Sequence, residues 1–162
     1  MDHNEKINKL CACLREEISW VENLNQILLE ERKALETRKF SLLDEFAQQK
    51  HDLSKKLEQS AQERMILINK DDKGLELCLR EFLFGHSESD VQQVNSLNTQ
   101  LSTLLNQCRE LNSVNGQVIA NNLYIRKEMV NTLSGHGGNA MDIYNAHGNI
   151  TISRNQDHYR EV

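Results

Sequence analysis

Two long stretches of this chain repeat apolar residues in alternating steps of four and three, and that rhythm restricts the fold more than any other feature. Between about Asn4 and Glu36 the stripe is Ile7, Cys11, Leu14, Ile18, Val21, Asn25, Leu28, Arg32 and Leu35. Between Asp90 and Leu133 it is Val94, Leu97, Leu101, Leu104, Cys108, Leu111, Asn115, Val118, Asn122, Ile125 and Met129. A stripe of this period is the seam of packed helices. The chain has no proline, so no residue forces a break inside either helix.

The first stripe is interrupted by Asn25 and Arg32, which read as polar devices that fix helix alignment at some cost in stability. A second row lies beside it: Leu10, Cys13, Trp20, Leu24, Ile27 and Ala34. Together the two rows form a face wide enough for two neighbours. Either other segments of the same chain or a second copy in a homodimer would cover it.

Between the long helices the pattern predicts a second helix, from about Arg38 or Leu42 to Ile68. Its inward residues are Phe40, Leu43, Phe46, Leu53, Leu57, Met65 and Ile68, with Lys50 on the same side. The stretch from Glu36 to Ser41 is either a bend or a continuation, and Thr37 and Ser41 each have the chemistry of a helix cap. The run from Asn69 to Gly74 is rich in turn formers. A short apolar helix, Leu75 to Phe84, ends at Gly85. Ser89 followed by Gln92 predicts the cap of the last helix, which would be about 65 Å long at 1.5 Å per residue.

The expectation is an all-α fold: an elongated antiparallel bundle or coiled coil of three long helices and one short one. Residues 1–134 form the helical domain. Residues 135–162, glycine-rich and polar, read as a flexible C-terminal tail.

Chemistry is sparse. The six histidines are scattered with no ligand spacing between them, so no metal site is expected. Glycine-rich phosphate loops are missing, and no cofactor or catalytic residue suggests itself. The cysteines Cys11, Cys13, Cys78 and Cys108 read as small apolar residues in a reducing compartment. A net charge of −5 without a basic cluster argues against nucleic-acid binding. No apolar run has the length of a signal peptide or a membrane span, so a cytoplasmic protein without stable membrane insertion is expected.

What remains is a surplus of apolar surface. Late in the last helix a second row appears, Ile119, Leu123, Val130 and Leu133, with Tyr124 beside it. Two readings stand: the row packs on the first two helices, or it forms a face for a partner's amphipathic helix.

Around that row, Cys108-Arg-Glu-Leu-Asn-Ser-Val-Asn-Gly116, continued by QVIANNLYIRKEMVNTL, is similar to the FlgN family of flagellar export chaperones. The matching signature is Leu111, Asn112, Asn115 and Gly116 in the last long helix. A tyrosine-containing turn follows after a spacer, here Tyr144 to Gly148, with Asn145 and His147 departing from the glycine or aspartate often found there. A looser match runs from Leu29 to Leu57. The resemblance implies a cytosolic chaperone of type III flagellar secretion, part of flagellum biogenesis and protein export. Its implied partners are the C-terminal helical segments of hook-associated (hook–filament junction) proteins, kept from premature assembly, and components of the export gate and ATPase complex.

On that resemblance Ile119, Leu123, Ile125, Met129, Val130 and Leu133 are assigned to cargo contact, and Tyr144 to contact with the export gate. Gly116, costly inside a helix by about 1 kcal/mol against alanine, suggests a close backbone approach or a bend. The competing reading is a structural coiled-coil adaptor or tether whose seams serve only self-association.

Overall fold

The computed structural model describes residues 3–68, 75–134, 142–144 and 150–152, with side chains described for 4–68 and 79–134. Its helices are α1 (His3–Glu36), α2 (Leu43–Ile68), α3 (Leu75–Leu83) and α4 (Glu88–Leu133). The expected all-α class, with three long helices and one short, is what the chain adopts. The turn expected over 69–74 lies outside the described residues. Within the segment read as a tail, the structure adds two short strands, β1 (Asp142–Tyr144) and β2 (Ile150–Ile152). They pair antiparallel, with Asp142 opposite Ile152 and Tyr144 opposite Ile150.

Two compact units divide the chain, residues 1–111 and 112–162. In the first, α1 is the central element. Ile7, Leu10, Cys11, Leu14, Ile18 and Val21 are buried with Leu83, Val94 and Leu101. Leu57, Ile68, Leu79, Phe82, Val91, Leu97, Leu104, Leu105 and Cys108 pack around them. A second cluster joins Leu24, Ile27, Leu28 and Leu53, flanked by Trp20, Phe46, Leu57, Cys108 and Leu111. Each fully buried leucine or isoleucine contributes about 1.5–3 kcal/mol. The wide face of α1 is thus covered from within this unit by α2, α3 and the first part of α4, as two apolar rows on one helix require.

The alternative left open at residues 36–42 is decided in favour of a break. Arg38 takes a left-handed conformation with φ 57°. Around it, the Arg38 amide donates to the Leu35 carbonyl at 3.3 Å and the Lys39 amide to the Ala34 carbonyl at 2.8 Å. This is the Schellman pairing that ends a helix by satisfying its last carbonyls. Thr37 does not cap a new helix: its hydroxyl donates to the Lys33 carbonyl at 2.8 Å, closing α1. Ser41 sits in a single 3-10 turn, Phe40–Leu42, that leads into α2.

The start of α4 also differs from expectation. Ser87, not Ser89, is the cap. Its hydroxyl accepts from the Asp90 amide at 3.2 Å and donates to the Asp90 carboxylate at 2.7 Å. The Asp90 carboxylate takes the Ser87 hydroxyl proton and not the Ser87 amide, so this is a serine cap with a side-chain partner and not the full reciprocal box, and the helix starts at Glu88. Gly85, at φ 89°, supplies the expected left-handed turn after α3.

Two assignments to the buried side are corrected. Arg32 lies outside the core, exposed and paired with Glu36 at 3.2 Å on the same helix. The neighbouring Glu31 is buried in its place. Met65 is exposed at 42%, while Ser60 faces inward. Asn25 does behave as an alignment device, its Nδ2 donating to the Leu104 carbonyl of α4 at 3.3 Å.

Candidate functional site

Among the described residues, charge enters the core at two places, both between α1 and α2. The Glu17 carboxylate is buried and accepts from the Arg64 guanidinium and the Ser60 hydroxyl, each at 2.7 Å. Glu31 is equally buried and accepts from the Lys50 ammonium at 2.7 Å. Glu31 follows Glu17 by fourteen residues, and Lys50 precedes Arg64 by fourteen. The two pairs therefore repeat at the same antiparallel register. Each carboxylate is held by a cation of α2, which makes the pairs structural clamps. Among the described residues, no group of three or more histidine, cysteine or acidic side chains is placed to hold a metal ion. No described helix is long and apolar enough to cross a membrane.

Among the described thiols, Cys11 is buried in the core, Cys108 packs at its edge and Cys13 is half-buried. Burial raises the pKa of Cys11, Cys13 and Cys108 above the ordinary value of 9.0, and for Cys13 the nearby carboxylates of Glu17, Glu63 and Glu16 add to the effect. All three are free thiols. Such thiols are poor nucleophiles and serve as packing atoms.

The second unit contains the late part of α4, where the apolar surplus lies. Asn115 is buried, Val118, Ile119 and Asn122 are half-buried, and beyond them the seam dissolves. Leu123 is 50% exposed, Ile125 51%, Met129 61%, Val130 63% and Leu133 87%. The seam thus stops at Asn122, so Ile125 and Met129 are not core residues. Helical geometry places Ile119, Leu123, Val130 and Leu133 along one side, since residues three, four and seven apart share a face. Met129 widens that side, and Ile125, two residues from Leu123, carries the apolar surface round toward the opposite face. Five large apolar side chains exposed within eleven residues form a contiguous patch of the kind that marks a binding surface.

Of the signature residues, Leu111 is half-buried, Asn112 is exposed and Asn115 is buried. Of the two readings at Gly116, a close backbone approach or a bend, the close approach is not found: a Cβ added there would meet nothing within 4 Å. Tyr124 is half-buried beside the patch. Tyr144 belongs to β1. The turn that follows it, through Gly148, lies outside the described residues, as do His136, His147 and His158.

A second exposed apolar group escaped the periodicity argument. Phe84 is 91% exposed and Ile66 77%. Phe84 reads as the last residue of the short helix, yet it lies one residue past the end of α3, in the turn before Gly85. A single aromatic next to a helix-ending glycine is the available signal.

A comparison with protein-family models matches residues 1–151 to the FlgN protein family. Neither a curated protein nor a solved structure matches the chain.

Proposed function

The chain belongs to the FlgN family of flagellar export chaperones, and from that premise we propose that it binds the C-terminal segments of hook-associated junction proteins in the cytoplasm. It keeps them from premature assembly and delivers them to the type III export gate. The observation that carries this reading is the exposed apolar side of α4 from Leu123 to Leu133. A junction-protein terminus able to form an amphipathic helix meets on that side a row of anchors at helical spacing.

The energetics suit a carrier. Three or four anchors at about 1.5–3 kcal/mol each give micromolar affinity once association costs are subtracted. Such binding is reversible and needs no covalent step, so the role is non-catalytic. In this reading Ile119, Leu123, Ile125, Met129, Val130 and Leu133 contact cargo. Residues 1–134 act as the chaperone domain and residues 135–162 as its tail, within which Tyr144 contacts the gate.

The test is a full-length variant with Leu123→Ser and Val130→Ser, assayed for melting and for co-purification with junction proteins carrying or lacking their C-terminal segment. The expected outcome is a melt within a few degrees of the parent and cargo affinity weakened at least tenfold. Binding that survives the substitutions, or that ignores the C-terminal segment, rejects the reading. A melt that collapses in step with binding favours the structural adaptor.

A further inference from the structure

We propose that Asn112–Gly116 is a weak joint in α4, from which the helix unwinds to Leu133 as one unit and so releases what it holds. The inference rests on the reading of the Leu123–Leu133 side as the cargo site. The structure, helical from Glu88 to Leu133, shows the wound state.

The residues of the joint supply the first argument. Asn112, Ser113, Val114, Asn115 and Gly116 are five consecutive residues of weak helix propensity. Elsewhere in α4 no more than three such residues follow one another. Asparagine and serine side chains compete for the backbone, valine loses rotamer freedom, and glycine gives up the most backbone entropy. Against five alanines the run favours opening by about a hundredfold.

Packing does not offset that cost. Among the described residues, Leu111 is the last of α4 in either apolar cluster. Asn112, Ser113, Val114, Gly116 and Gln117 are exposed, and the buried member of the run, Asn115, is polar. Open space around Gly116 leaves no steric reason for a glycine there. The boundary between the two compact units falls at Asn112, the first residue of the same run.

Once the joint opens, the segment beyond it has little to keep it wound. Residues 117–133 number seventeen, four of them asparagine or threonine. Helices near about 12–15 residues are marginal alone, because nucleation is costly. No basic side chain stands in the last turn to offset the helix dipole. Leu123, Ile125, Met129, Val130 and Leu133 are exposed and contribute little burial. An unwound segment no longer aligns Ile119, Leu123, Val130 and Leu133 on one side. Cargo therefore binds the wound form alone and holds it wound, and unwinding lets cargo go.

The experiment is residue-resolved hydrogen exchange on the full chain, which reads local opening directly. Amides from Gly116 to Leu133 should share one rate, at least tenfold faster than those of residues 97–108, with the step at the joint. Gly116→Ala should slow the whole segment about fivefold. Arg64→Ala should speed residues 97–108 and leave the segment unchanged. A gradient that rises smoothly toward Leu133, with no step, is simple end fraying and overturns the joint. So does a segment that exchanges as slowly as residues 97–108. A junction-protein C-terminal segment at a hundred times its dissociation constant should slow the exchange about a hundredfold. If the step is present and that segment in excess leaves it unchanged, the joint stands and the cargo reading fails.

Discussion

The Nε of Arg64 donates to the Glu17 carboxylate at 2.7 Å, across the interface of two antiparallel helices, with the Glu17 side chain 3% and the Arg64 side chain 23% exposed. A carboxylate so far from water is tolerated only because Arg64 and Ser60 both donate to it. The Glu31–Lys50 pair repeats the arrangement at the same register. A slip of α2 by one residue against α1 would misplace both pairs together.

Removing one partner strands a buried charge. Arg64→Ala should destabilise the chain by about 2–4 kcal/mol in urea unfolding, below the range for a fully buried pair because the guanidinium keeps some contact with water. Replacing Glu17 and Arg64 together with leucine should recover most of the loss. Lys50→Ala should add to Arg64→Ala within about 0.5 kcal/mol, since the pairs lie about 20 Å apart along α1. Strong non-additivity would show that the two clamps act as one unit.

Glycines at two helix positions should respond in opposite directions. Gly116 has open space around a built Cβ, so Gly116→Ala should stabilise α4 by about 1 kcal/mol. Gly85 has φ 89°, and Gly85→Ala should cost about 1–2 kcal/mol because a Cβ is strained there. Thermal melts of the two variants on either side of the parent are the expected result. If Gly116→Ala loses stability, a constraint on that backbone has been missed.

Ser87 caps α4 through the Asp90 amide. Ser87→Ala should lower stability by about 1 kcal/mol, whereas Ser89→Ala, which removes no cap, should stay within about 0.5 kcal/mol of the parent. Equal losses at both positions would contradict the assigned cap.

The buried thiols give a pH dependence with a definite sign. Their pKa values are raised by desolvation, so the folded state holds its thiol protons more tightly than the unfolded state. Stability from this source is complete below the unfolded thiol pKa and is lost as pH rises through the folded values. Urea midpoints should therefore fall above about pH 9. Peptide-resolved alkylation at neutral pH should find Cys11, Cys13 and Cys108 slower than free cysteine. Reaction of Cys11 at the free rate would refute its burial.

Much of the architecture is legible in the residues because helix formation obeys local rules. The apolar rows of α1, from Ile7 to Leu35, and of α4, from Val94 to Leu111, become core or core-flanking residues, apart from Arg32. The left-handed glycine at 85 and the end of α2 at Ile68 fall where turn chemistry puts them. The pattern of residues puts the cap of α4 two residues late, because Ser87 and Ser89 are both followed three residues on by a polar side chain of the kind found in capping boxes. Hydrogen bonding to the Asp90 amide decides between them.

At the binding surface the balance changes. The run of apolar residues from Ile119 to Leu133 can be read off the chain, but periodicity cannot say whether a neighbour covers it. Burial depends on what lies opposite.

Composition and spacing alone therefore determined that this chain makes long helices, that a short one ends near Gly85, and which rows are apolar, whereas the break at residues 36–42 needed the structure. Those properties follow from backbone geometry and side-chain type within a few residues of each position. Tertiary structure decided that Glu31 enters the core while Arg32 stays in water, although both lie near the seam. The covered side of α1 turns toward α2, where Lys50 waits with a compensating charge. It also decided that the side of α4 bearing Leu123, Val130 and Leu133 faces solvent, because covering it requires surface from another segment, and packing partners far away in the chain cannot be inferred from a local repeat.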